Sequence, residues 1–337
     1  MQAILTQYGF SPSATLTQLE GGLINRTYQV DEGARRSVLQ RLHPIFKPEV
    51  NLDIQAITGH LAARGLHTPR VVPTLDGALW VIDDEGFSWR MLSWLPGRTF
   101  SVVEKPEQAY SAAQLVARFH GAVSDLQHTF HFTRPGAHDT PRHMATLEQA
   151  LRSHADHPRY DEAASVADEI LSRARALPPL PSGPLRIIHG DLKISNVLFD
   201  GDRAHALLDL DTMAHQTIPI ELGDALRSWC NPAGEDASRA SLRSDVFEAA
   251  IRGYAPNASW LTREEQDAIV LGLETIALEL SARFCADIVV DKYWGWNAAR
   301  YASRADHNLV RAESQLSLAA SVAQQRSQLE TIVRAHF

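Results

Sequence analysis

The sequence predicts an α+β protein of two lobes, a small β-rich N-terminal lobe and a larger, mainly α-helical C-terminal lobe. The chain has 337 residues, enough for two units of about 150 residues each. Short segments with strand-like alternation fill residues 1–95, whereas apolar residues recur at helical spacing from Pro96 and Gly97 onward. We therefore place the lobes at residues 1–95 and 96–337, with a hinge near residues 93–97.

The N-terminal lobe is predicted to consist of short strands and one helix. A helix is expected over residues 49–64, because Gly65 follows it at a position that favours a left-handed helix end and Pro69 lies just beyond. Strand patterns cover residues 14–19, 26–30, 37–42, 70–72, 79–82 and 87–92. Together they predict a sheet with one helix packed on it.

The C-terminal lobe is predicted to be built from amphipathic helices. Apolar residues recur every three or four positions within residues 112–123, 163–177 and 269–284, which marks three buried helix faces. A long final helix is expected over residues 307–335. A helical insertion is expected at about residues 135–180.

Composition limits the classes of partner. The chain carries 32 basic and 40 acidic residues, a formal net charge of −8, which argues against nucleic acid or an anionic membrane as a partner. Its two cysteines, Cys230 and Cys285, are too few for a disulfide scaffold, so a reducing cytoplasm is expected. The start of the chain lacks a signal-peptide pattern, and no apolar run reaches about 18 residues, so no transmembrane helix is expected.

The strongest functional pattern is Ile187-Ile-His-Gly-Asp-Leu-Lys-Ile-Ser-Asn-Val-Leu-Phe199, followed by Leu207-Leu-Asp-Leu-Asp211. Its oxygen-bearing side chains, those of Asp191, Asn196 and Asp209, suit Mg²⁺, a hard cation that binds through carboxylates and substrate phosphates. Phosphoryl transfer requires such ligands, a base near the acceptor hydroxyl and a cation at the phosphates. The alternative is a polar loop in which these residues only cap turns.

The segment His189-Gly-Asp-Leu-Lys-Ile-Ser-Asn196 resembles the catalytic loop of the protein-kinase-like fold, in the form found in the aminoglycoside phosphotransferase and choline kinase superfamily. Gly190 stands where protein kinases carry Arg, which indicates the small-molecule kinases. The resemblance implies that Asp191 is the catalytic base or orienting carboxylate. It also implies that Asn196 and Asp209 bind Mg²⁺.

The same resemblance assigns roles to three residues around the loop. Lys193 would reach the transferring phosphoryl group, and His189 would brace the loop. The segment Glu221-Leu-Gly-Asp-Ala-Leu-Arg227 resembles a stretch of the family in which the acidic residue, here Asp224, supports the loop from below. A buried carboxylate must be hydrogen-bonded or paired, and loop amides would meet that need.

The resemblance extends to a nucleotide-covering turn, Glu20-Gly-Gly-Leu-Ile-Asn-Arg-Thr-Tyr28. Gly21, Gly22 and Asn25 are the predicted ATP contacts in it. Glycine lets backbone amides approach phosphate closely, and successive amides form an anion-binding concavity.

Further ATP contacts are implied along the N-terminal lobe. The segment Val38-Leu-Gln-Arg41 matches the strand whose basic residue pairs with phosphate, so Arg41 is the candidate, with an ordinary surface arginine as the alternative. Glu49 and Asp53 are both candidates for its acidic partner on the next helix. Backbone groups from Ser93 to Leu95 would hydrogen-bond adenine.

Several segments look like one branch of the superfamily, the N-acetylhexosamine 1-kinase-like enzymes: V-L-Q-R-L, L-L-D-L-D-T-M, L-G-D-A-L-R, E-L-S-A-R-F and H-N-L-V-R-A. That branch phosphorylates the anomeric hydroxyl of an amino sugar with ATP. The sequence Gly190-Asp-Leu departs from the Asn-Asp-Thr of the hexosamine enzymes, which leaves the identity of the sugar open.

Six residues are candidate acceptor contacts: Asp211, Arg227, Arg283, Asp287, Tyr293 and Trp294. Asp211 would share a strand face with Asp209 and serve as a metal ligand or bind substrate hydroxyls, with a turn cap as the alternative. Arg283 and Asp287 point to the acceptor pocket by the carried-over motif, or form a surface ion-pair ladder with Glu279. The aromatic pair suits sugar stacking, or anchors a loop.

Four of the fifteen histidines cluster at His128, His131, His138 and His143. No H-E-x-x-H motif or cysteine pair accompanies them, so we interpret them as part of a polar insertion rather than a metal site.

The sequence thus predicts a cytoplasmic, ATP- and Mg²⁺-dependent kinase for a hydroxyl of a small molecule, best a sugar or amino sugar, acting as a monomer or homodimer. An aminoglycoside or an amino alcohol such as choline or homoserine is the alternative acceptor. Cationic acceptors favour acidic pockets, and Arg227, Arg283 and Arg311 weigh against them. The alternative of another class is a non-catalytic nucleotide-binding pseudokinase.

Overall fold

The computed structural model describes residues 1–19, 25–234, 236–237 and 239–337. The N-terminal lobe contains an antiparallel sheet with strand order β1-β2-β3-β6-β4, in which β5 also pairs with β6. Its elements are α1 (Gln2–Gln7), β1 (Thr15–Gln18), β2 (Arg26–Glu32), β3 (Arg35–Arg41), α2 (Val50–Ala63), β4 (Val71–Val72), β5 (Val81–Ile82) and β6 (Ser88–Ser93). The expected helix over residues 49–64 is confirmed as α2, and Gly65 after it has a positive φ of 72°.

The C-terminal lobe is mainly helical, with two small two-stranded sheets, β7 with β10 and β8 with β9. Its elements are α3 (Pro106–Val123), α4 (Thr140–Ser153), α5 (Tyr160–Ala176), β7 (Arg186–Ile188), β8 (Val197–Asp200), β9 (Arg203–Leu207), β10 (Ala214–Gln216), α6 (Ile218–Trp229), α7 (Ser244–Tyr254), α8 (Arg263–Asp267), α9 (Ile269–Val290) and α10 (Arg304–His336). The three helix faces predicted from periodicity lie on α3, α5 and α9. The boundary at residue 95 stays a prediction.

The two faces of the N-terminal sheet meet different partners. Leu39 and Trp89 lie in a buried cluster with residues of α1, whereas Leu92 packs with residues of α2. Since successive side chains of a strand point to opposite faces, Gln40 and its cross-strand partner Arg90 lie on the α2 face. Arg41 lies on the other face, beside Trp89.

Helices α6 and α9 cross with their backbones in contact. A β-carbon on Gly272 of α9 would lie 2.1 Å from the carbonyl oxygen of Pro219, and one on Gly223 of α6 would lie 2.6 Å from the carbonyl oxygen of Gly272. Larger residues at either position would push the helices apart. The crossing therefore sets the distance between α6 and the centre of the C-terminal lobe.

Within the described ranges, no helix is both long enough and apolar enough to span a lipid bilayer.

We expect Gly272→Ala to lower the free energy of unfolding by about 1–3 kcal/mol, because the added methyl group meets backbone atoms that must move. Gly121→Ala is the matched control, since a β-carbon at that position of α3 would meet nothing within 4 Å. The control should be neutral or stabilising by up to about 1 kcal/mol. Urea denaturation measures both variants, and equal effects would contradict the proposed backbone contact.

Candidate active site

The loop after β7 is held in its path by a glycine. Gly190 has a φ of 79°, and a β-carbon there would lie 2.4 Å from the carbonyl oxygen of Thr212. The Thr212 hydroxyl donates to the carbonyl oxygen of His189 at 3.0 Å. The absence of a side chain at Gly190 lets the loop pack directly against the backbone at Thr212.

Glu221 of α6 fixes the start of this loop. Its two carboxylate oxygens accept the backbone N–H groups of His189 at 2.8 Å and of Gly190 at 3.0 Å. Burial alone would raise the pKa of Glu221, but the hydrogen bond and charge of His120 and contributions from His189 outweigh it and hold the pKa below its ordinary value. Glu221 carries no predicted role from the sequence, although it lies one turn before Asp224 on the same helix.

The rest of α6 holds the remainder of the loop. Asp224 accepts the N–H of Leu192 at 3.1 Å, and the Ser228 hydroxyl accepts the N–H of Ile194 at 3.1 Å. The indole N–H of Trp229 donates to the carbonyl oxygen of Leu192 at 2.7 Å. Asp224 thus accepts a backbone N–H of the loop, and the ring of His189 contacts the carbonyl oxygen of Leu208 at 2.8 Å.

Asp191 is oriented by two neighbours in its own loop. Lys193 Nζ lies 2.7 Å from Asp191 Oδ2, and the side-chain amide of Asn196 donates to the same oxygen at 3.0 Å and to the Asp191 carbonyl oxygen at 2.9 Å. Burial raises the pKa of Asp191, but the charge and hydrogen bond of Lys193 outweigh burial and hold it below its ordinary value. The carboxylate is therefore ionised at neutral pH.

Asp209 lies in a left-handed backbone conformation, with φ 60° and ψ 61°. Burial, followed by the negative charges of Asp211 and Asp191, raises its pKa to about 6. A carboxylate that gathers this much negative charge suits a divalent cation. The Asn196 amide nitrogen is used by Asp191, which leaves the Asn196 oxygen for such an ion. Asp209 and Asn196 therefore fit the expected Mg²⁺ ligands in donor type.

Asp211 has a different role from the one expected. Its side chain is fully buried and pairs with both terminal nitrogens of Arg90, at 2.5 and 2.9 Å. The Asn25 amide also donates to it at 2.7 Å. The structure therefore places Asp211 in a buried ion pair with Arg90 instead of at an open ligand position, which corrects the expectation of a metal ligand or acceptor contact.

Arg90 of β6 is the buried cation of this region, which the sequence analysis missed. Its guanidinium also donates to Gln40 Oε1 at 2.7 and 2.9 Å and to Asn51 Oδ1 at 3.3 Å. These contacts join β6, β3, α2 and the turn at Asp211. The available signal was a lone charged residue within the apolar strand Trp89-Arg-Met-Leu92.

Two of the expected ATP contacts are also corrected. The Arg41 guanidinium packs over the Phe87 ring at 4.1 Å, on the face of the sheet away from α2, so it does not face Arg90 and Asp211. Asn25 uses its amide nitrogen on Asp211, and its oxygen accepts the N–H of His43 at 2.9 Å. Asn25 thus joins strand β2 to the C-terminal lobe.

The other expectations for ATP binding have mixed outcomes. Asp53 accepts hydrogen bonds from residues 128–132, and no described ion pair joins Glu49 or Asp53 to Arg41. Ser93 ends β6, and its N–H donates to the carbonyl oxygen of Arg70 at 2.9 Å. Leu95 follows in the connection between the lobes, so both remain predicted adenine positions. Gly21 and Gly22 lie outside the described residues.

A cavity of about 1150 Å³ opens beside the loop, with Gly190 and Thr212 in one wall and Arg134, His138 and Thr140 in another. Glu279 of α9 lies behind the second wall. It accepts the Thr140 hydroxyl at 2.6 Å and lies 3.2 Å from His138 Nδ1. Burial lowers the pKa of His138, but the hydrogen bond and charge of Glu279 outweigh burial and raise the pKa of His138 above its ordinary value.

Two arginines outside the cavity lining lie near Asp191 and near the loop after α9. Arg227 pairs with Asp224 at 2.9 Å, and its charge helps to lower the pKa of Asp191. Arg283 lies 3.9 Å from Glu279 and 5.1 Å from the Trp294 ring. Arg227 therefore lies near Asp191 and Arg283 lies beside Trp294, and both remain predicted acceptor contacts.

Asp287 supports the loop after α9 instead of binding substrate. It is 3% exposed, and it accepts the backbone N–H groups of Lys292, Tyr293 and Trp294 at 2.9–3.2 Å. The Asn308 amide donates to it at 3.0 Å. The expectation of an acceptor contact at Asp287 is therefore corrected.

Tyr293 and Trp294 keep both of their expected interpretations open. The Trp294 ring packs 4.6 Å from that of Phe284, as a loop anchor would. Tyr293 is half exposed, and its hydroxyl accepts a hydrogen bond from Arg134 of the cavity wall at 2.6 Å. Tyr293 thus reaches the cavity through Arg134.

Comparison with known proteins places the chain among phosphotransferases. A family model described as the phosphotransferase enzyme family matches residues 15–257. An uncharacterized protein of Deinococcus radiodurans is 31% identical over 262 residues, which cover 74% of this chain and 71% of that protein. Homoserine kinase of Zymomonas mobilis subsp. mobilis is 25% identical over 295 residues, which cover 85% and 84%. Homoserine kinase of Allorhizobium ampelinum is 30% identical over 174 residues, and the match spans about half of each protein, 51% and 50%.

Solved structures confirm the protein-kinase-like, two-lobed fold. A microcompartment-associated aminopropanol kinase superposes with a TM-score of 0.67 at 18% identity, covering 98% of this chain and 97% of that one. The amicoumacin kinase hAmiN, in complex with AMP-PNP, Ca²⁺ and Ami, gives 0.60 at 15% identity, covering 96% and 89%. Choline kinase of Cryptosporidium parvum Iowa II gives 0.57 at 12% identity, covering 97% and 94%.

Replacing Arg90 by Met should lower the free energy of unfolding by about 3–5 kcal/mol, because it leaves the Asp211 carboxylate buried without its cation. The double variant Arg90→Met, Asp211→Asn removes both charges and should recover part of that loss. Urea denaturation of the two variants tests this. A double variant as unstable as the single one would show that the unpaired charge is not the cause.

Glu221→Gln should lower the free energy of unfolding by about 1–3 kcal/mol at neutral pH, because the amide nitrogen faces a backbone N–H that needs an acceptor. The folded-state pKa of Glu221 lies below its ordinary value of 4.5. Its ionisation therefore stabilises the fold fully above the unfolded pKa, and this contribution is lost as the pH falls through the folded pKa.

The difference in stability between wild type and Glu221→Gln should thus be constant near neutral pH and shrink below pH 4.5. Urea denaturation at a series of pH values measures it. A difference that stays constant down to the acid limit of folding would rule out this role for the carboxylate charge.

Proposed function

The chain belongs to the phosphotransferase enzyme family, and on this premise we propose that it transfers the γ-phosphate of ATP to a hydroxyl group of an amino sugar or related hexose. Transfer to the hydroxyl of a small molecule is the activity class of the enzyme. The observation that carries the choice of acceptor is that Arg134 lines the cavity beside Gly190 and donates to the hydroxyl of the half-exposed Tyr293. Arg283 lies beside Trp294 in the same loop as Tyr293.

The catalytic loop supplies the groups that the transfer needs. The Asp191 carboxylate, ionised and held by Asn196, would orient the acceptor hydroxyl and accept its proton. Lys193, 2.7 Å from Asp191, would offset the negative charge that develops on the transferred group. Asn196 and Asp209 would hold Mg²⁺, which when bound neutralises charge on the phosphate oxygens.

ATP would bind between the lobes, with its adenine against the backbone of Ser93 and Leu95. The bracing of the loop by Glu221 and Asp224 keeps Asp191 in one position without a conformational change in the loop itself. Such preorganised placement of reacting groups is a large part of enzymatic rate enhancement.

An uncharged, hydroxyl-rich acceptor suits the cavity beside Gly190. Its volume of about 1150 Å³ accommodates a monosaccharide, since small-molecule sites commonly enclose about 300–1000 Å³. Tyr293 presents an exposed ring, and the Arg134 guanidinium offers hydrogen-bond donors, whereas the Thr140 hydroxyl already donates to Glu279. Arg134 in this lining disfavours a cationic acceptor such as an aminoglycoside or choline.

A homoserine-type acceptor is the second candidate. It is favoured by the curated relatives from Zymomonas mobilis and Allorhizobium ampelinum, which are homoserine kinases. An amino acid with a hydroxyl group carries a carboxylate, and an arginine such as Arg283 pairs with a carboxylate through two parallel hydrogen bonds.

We expect ADP release from Mg²⁺–ATP with N-acetylglucosamine, N-acetylgalactosamine or glucosamine as acceptor. Asp191→Ala should lower kcat by about 10²–10⁴-fold, because the group that receives the hydroxyl proton is lost, while ATP affinity remains. Arg283→Met should raise KM for the acceptor with little change in KM for ATP. Arg152→Met, on the exposed side of α4, is the matched control.

The same coupled assay with homoserine, choline and kanamycin separates the alternatives. Turnover with homoserine alone would favour the second candidate over the sugar. Turnover with only choline or kanamycin would contradict both, and the absence of turnover with every acceptor despite ATP binding would refute the proposed reaction.

A further inference from the structure

Helix α2 is joined to the segment after α3 by one carboxylate and two imidazoles, remote in sequence from the catalytic loop. Asp53 of α2 is 1% exposed. Its Oδ1 lies 2.8 Å from His128 Nε2 and 3.0 Å from His131 Nδ1. The possible ligand atoms of these three residues all lie within 4.8 Å of one another.

More nitrogen atoms contact Asp53 Oδ1 than this oxygen has lone pairs. Three nitrogens point at Asp53 Oδ1, because the backbone N–H of His131 also donates to it at 2.9 Å. A carboxylate oxygen has two lone pairs. The second oxygen, Oδ2, accepts the backbone N–H of Phe132 at 3.0 Å.

We propose that Asp53, His128 and His131 form a binding site for Zn²⁺. In a metal complex the two imidazole nitrogens and Oδ1 become ligands, so the imidazoles need no proton on the atoms that face the carboxylate. The two backbone N–H groups then hold the ligating carboxylate in place, as outer partners of metal ligands commonly do. Every polar group of the cluster has a role in this arrangement.

The spacing and chemistry of the donors favour Zn²⁺ over other common cations. Tetrahedral Zn²⁺ with bonds of about 2.0–2.1 Å places its ligand atoms about 3.3 Å apart. The observed separations from Oδ1 need to widen by only a few tenths of an ångström. Two imidazole nitrogens among three donors disfavour Mg²⁺ and Ca²⁺, which prefer oxygen ligands.

The fourth position of the proposed site faces solvent. The side chain of His131 is 51% exposed, whereas those of His128 and Asp53 are 10% and 2% exposed. The ion would therefore enter from the side of His131, with water as the fourth ligand. Three protein ligands and one open position are a common zinc arrangement.

The site would cross-link the two lobes of the protein. Asp53 lies on α2 of the N-terminal lobe, and both histidines follow α3 of the C-terminal lobe. The neighbouring residue Asn51 on α2 contacts Arg90, so the same helix takes part in the polar cluster at Asp211. Zn²⁺ is therefore expected to stabilise the relative position of α2 and residues 128–132.

The four clustered histidines separate in the structure. His138 contacts Glu279, and His143 contacts the carbonyl oxygen of Ala137. His128 and His131 share Asp53, which lies 75 residues from His128 in the chain, whereas His138 and His143 lie 3.2 and 3.9 Å from Glu279. This separation is why the polar-insertion interpretation missed the cluster.

Calorimetric titration of the metal-free, full-length protein with ZnCl₂ tests the proposal. Excess Mg²⁺ is present so that the carboxylates near Asp191 do not compete for Zn²⁺. We expect one equivalent of Zn²⁺ to bind wild type, and His131→Ala and His128→Gln to weaken binding at least tenfold. His67→Ala, at an exposed histidine elsewhere, should leave the affinity unchanged.

Two further measurements keep the test decisive. Zn²⁺ should raise the thermal midpoint of wild type but not that of His131→Ala, a variant expected to fold because the side chain is half exposed. Crystals soaked in ZnCl₂ should show an anomalous peak between Asp53, His128 and His131. Equal affinities of wild type and His131→Ala, or a peak only elsewhere, would overturn the proposal.

Discussion

The candidate active site depends on how the buried backbone amides of residues 189–194 find acceptors. Folding removes these N–H groups from water, and leaving them unpaired would cost stability. Side chains of a single helix, α6, meet the need through Glu221, Asp224 and Ser228. The close backbone contact between α6 and α9 at Gly223 and Gly272 positions α6. A helix crossing outside the catalytic loop therefore helps to position that loop.

Charge is distributed unevenly among the three carboxylates of the site. Arg90 neutralises Asp211 in a fully buried pair, and Lys193 neutralises Asp191. Asp209 has no equally close cation among the described contacts, and burial together with its two acidic neighbours raises its pKa to about 6. Asp209 thereby carries the least compensated of the three charges, which is in keeping with its predicted role as a ligand of a divalent cation.

Two polar junctions hold the lobes together, and both involve residues of α2, Asn51 in one and Asp53 in the other. At the first junction, Arg90 and Asn25 of the N-terminal lobe bind Asp211 of the C-terminal lobe. At the second, Asp53 of the N-terminal lobe contacts His128 and His131 of the C-terminal lobe. Both junctions bury a carboxylate of one lobe against donors of the other, which ties the geometry of the cleft to the position of a single helix.

The sequence by itself determined the catalytic loop and helices α2, α3, α5 and α9, because periodicity and the short spacing from Asp191 to Asn196 are local properties. It predicted one helix in the N-terminal lobe and did not predict α1. Tertiary structure decided the rest. Neighbouring residues of a strand point to opposite faces of the sheet. The sequence pattern alone did not show which of Gln40 and Arg41 lies on the face toward α2. Likewise, the partners of Asp211, Asp287 and Asp53 come from distant parts of the chain. A buried carboxylate takes its function from whichever donors the fold brings to it, and those contacts exist only once the chain has folded.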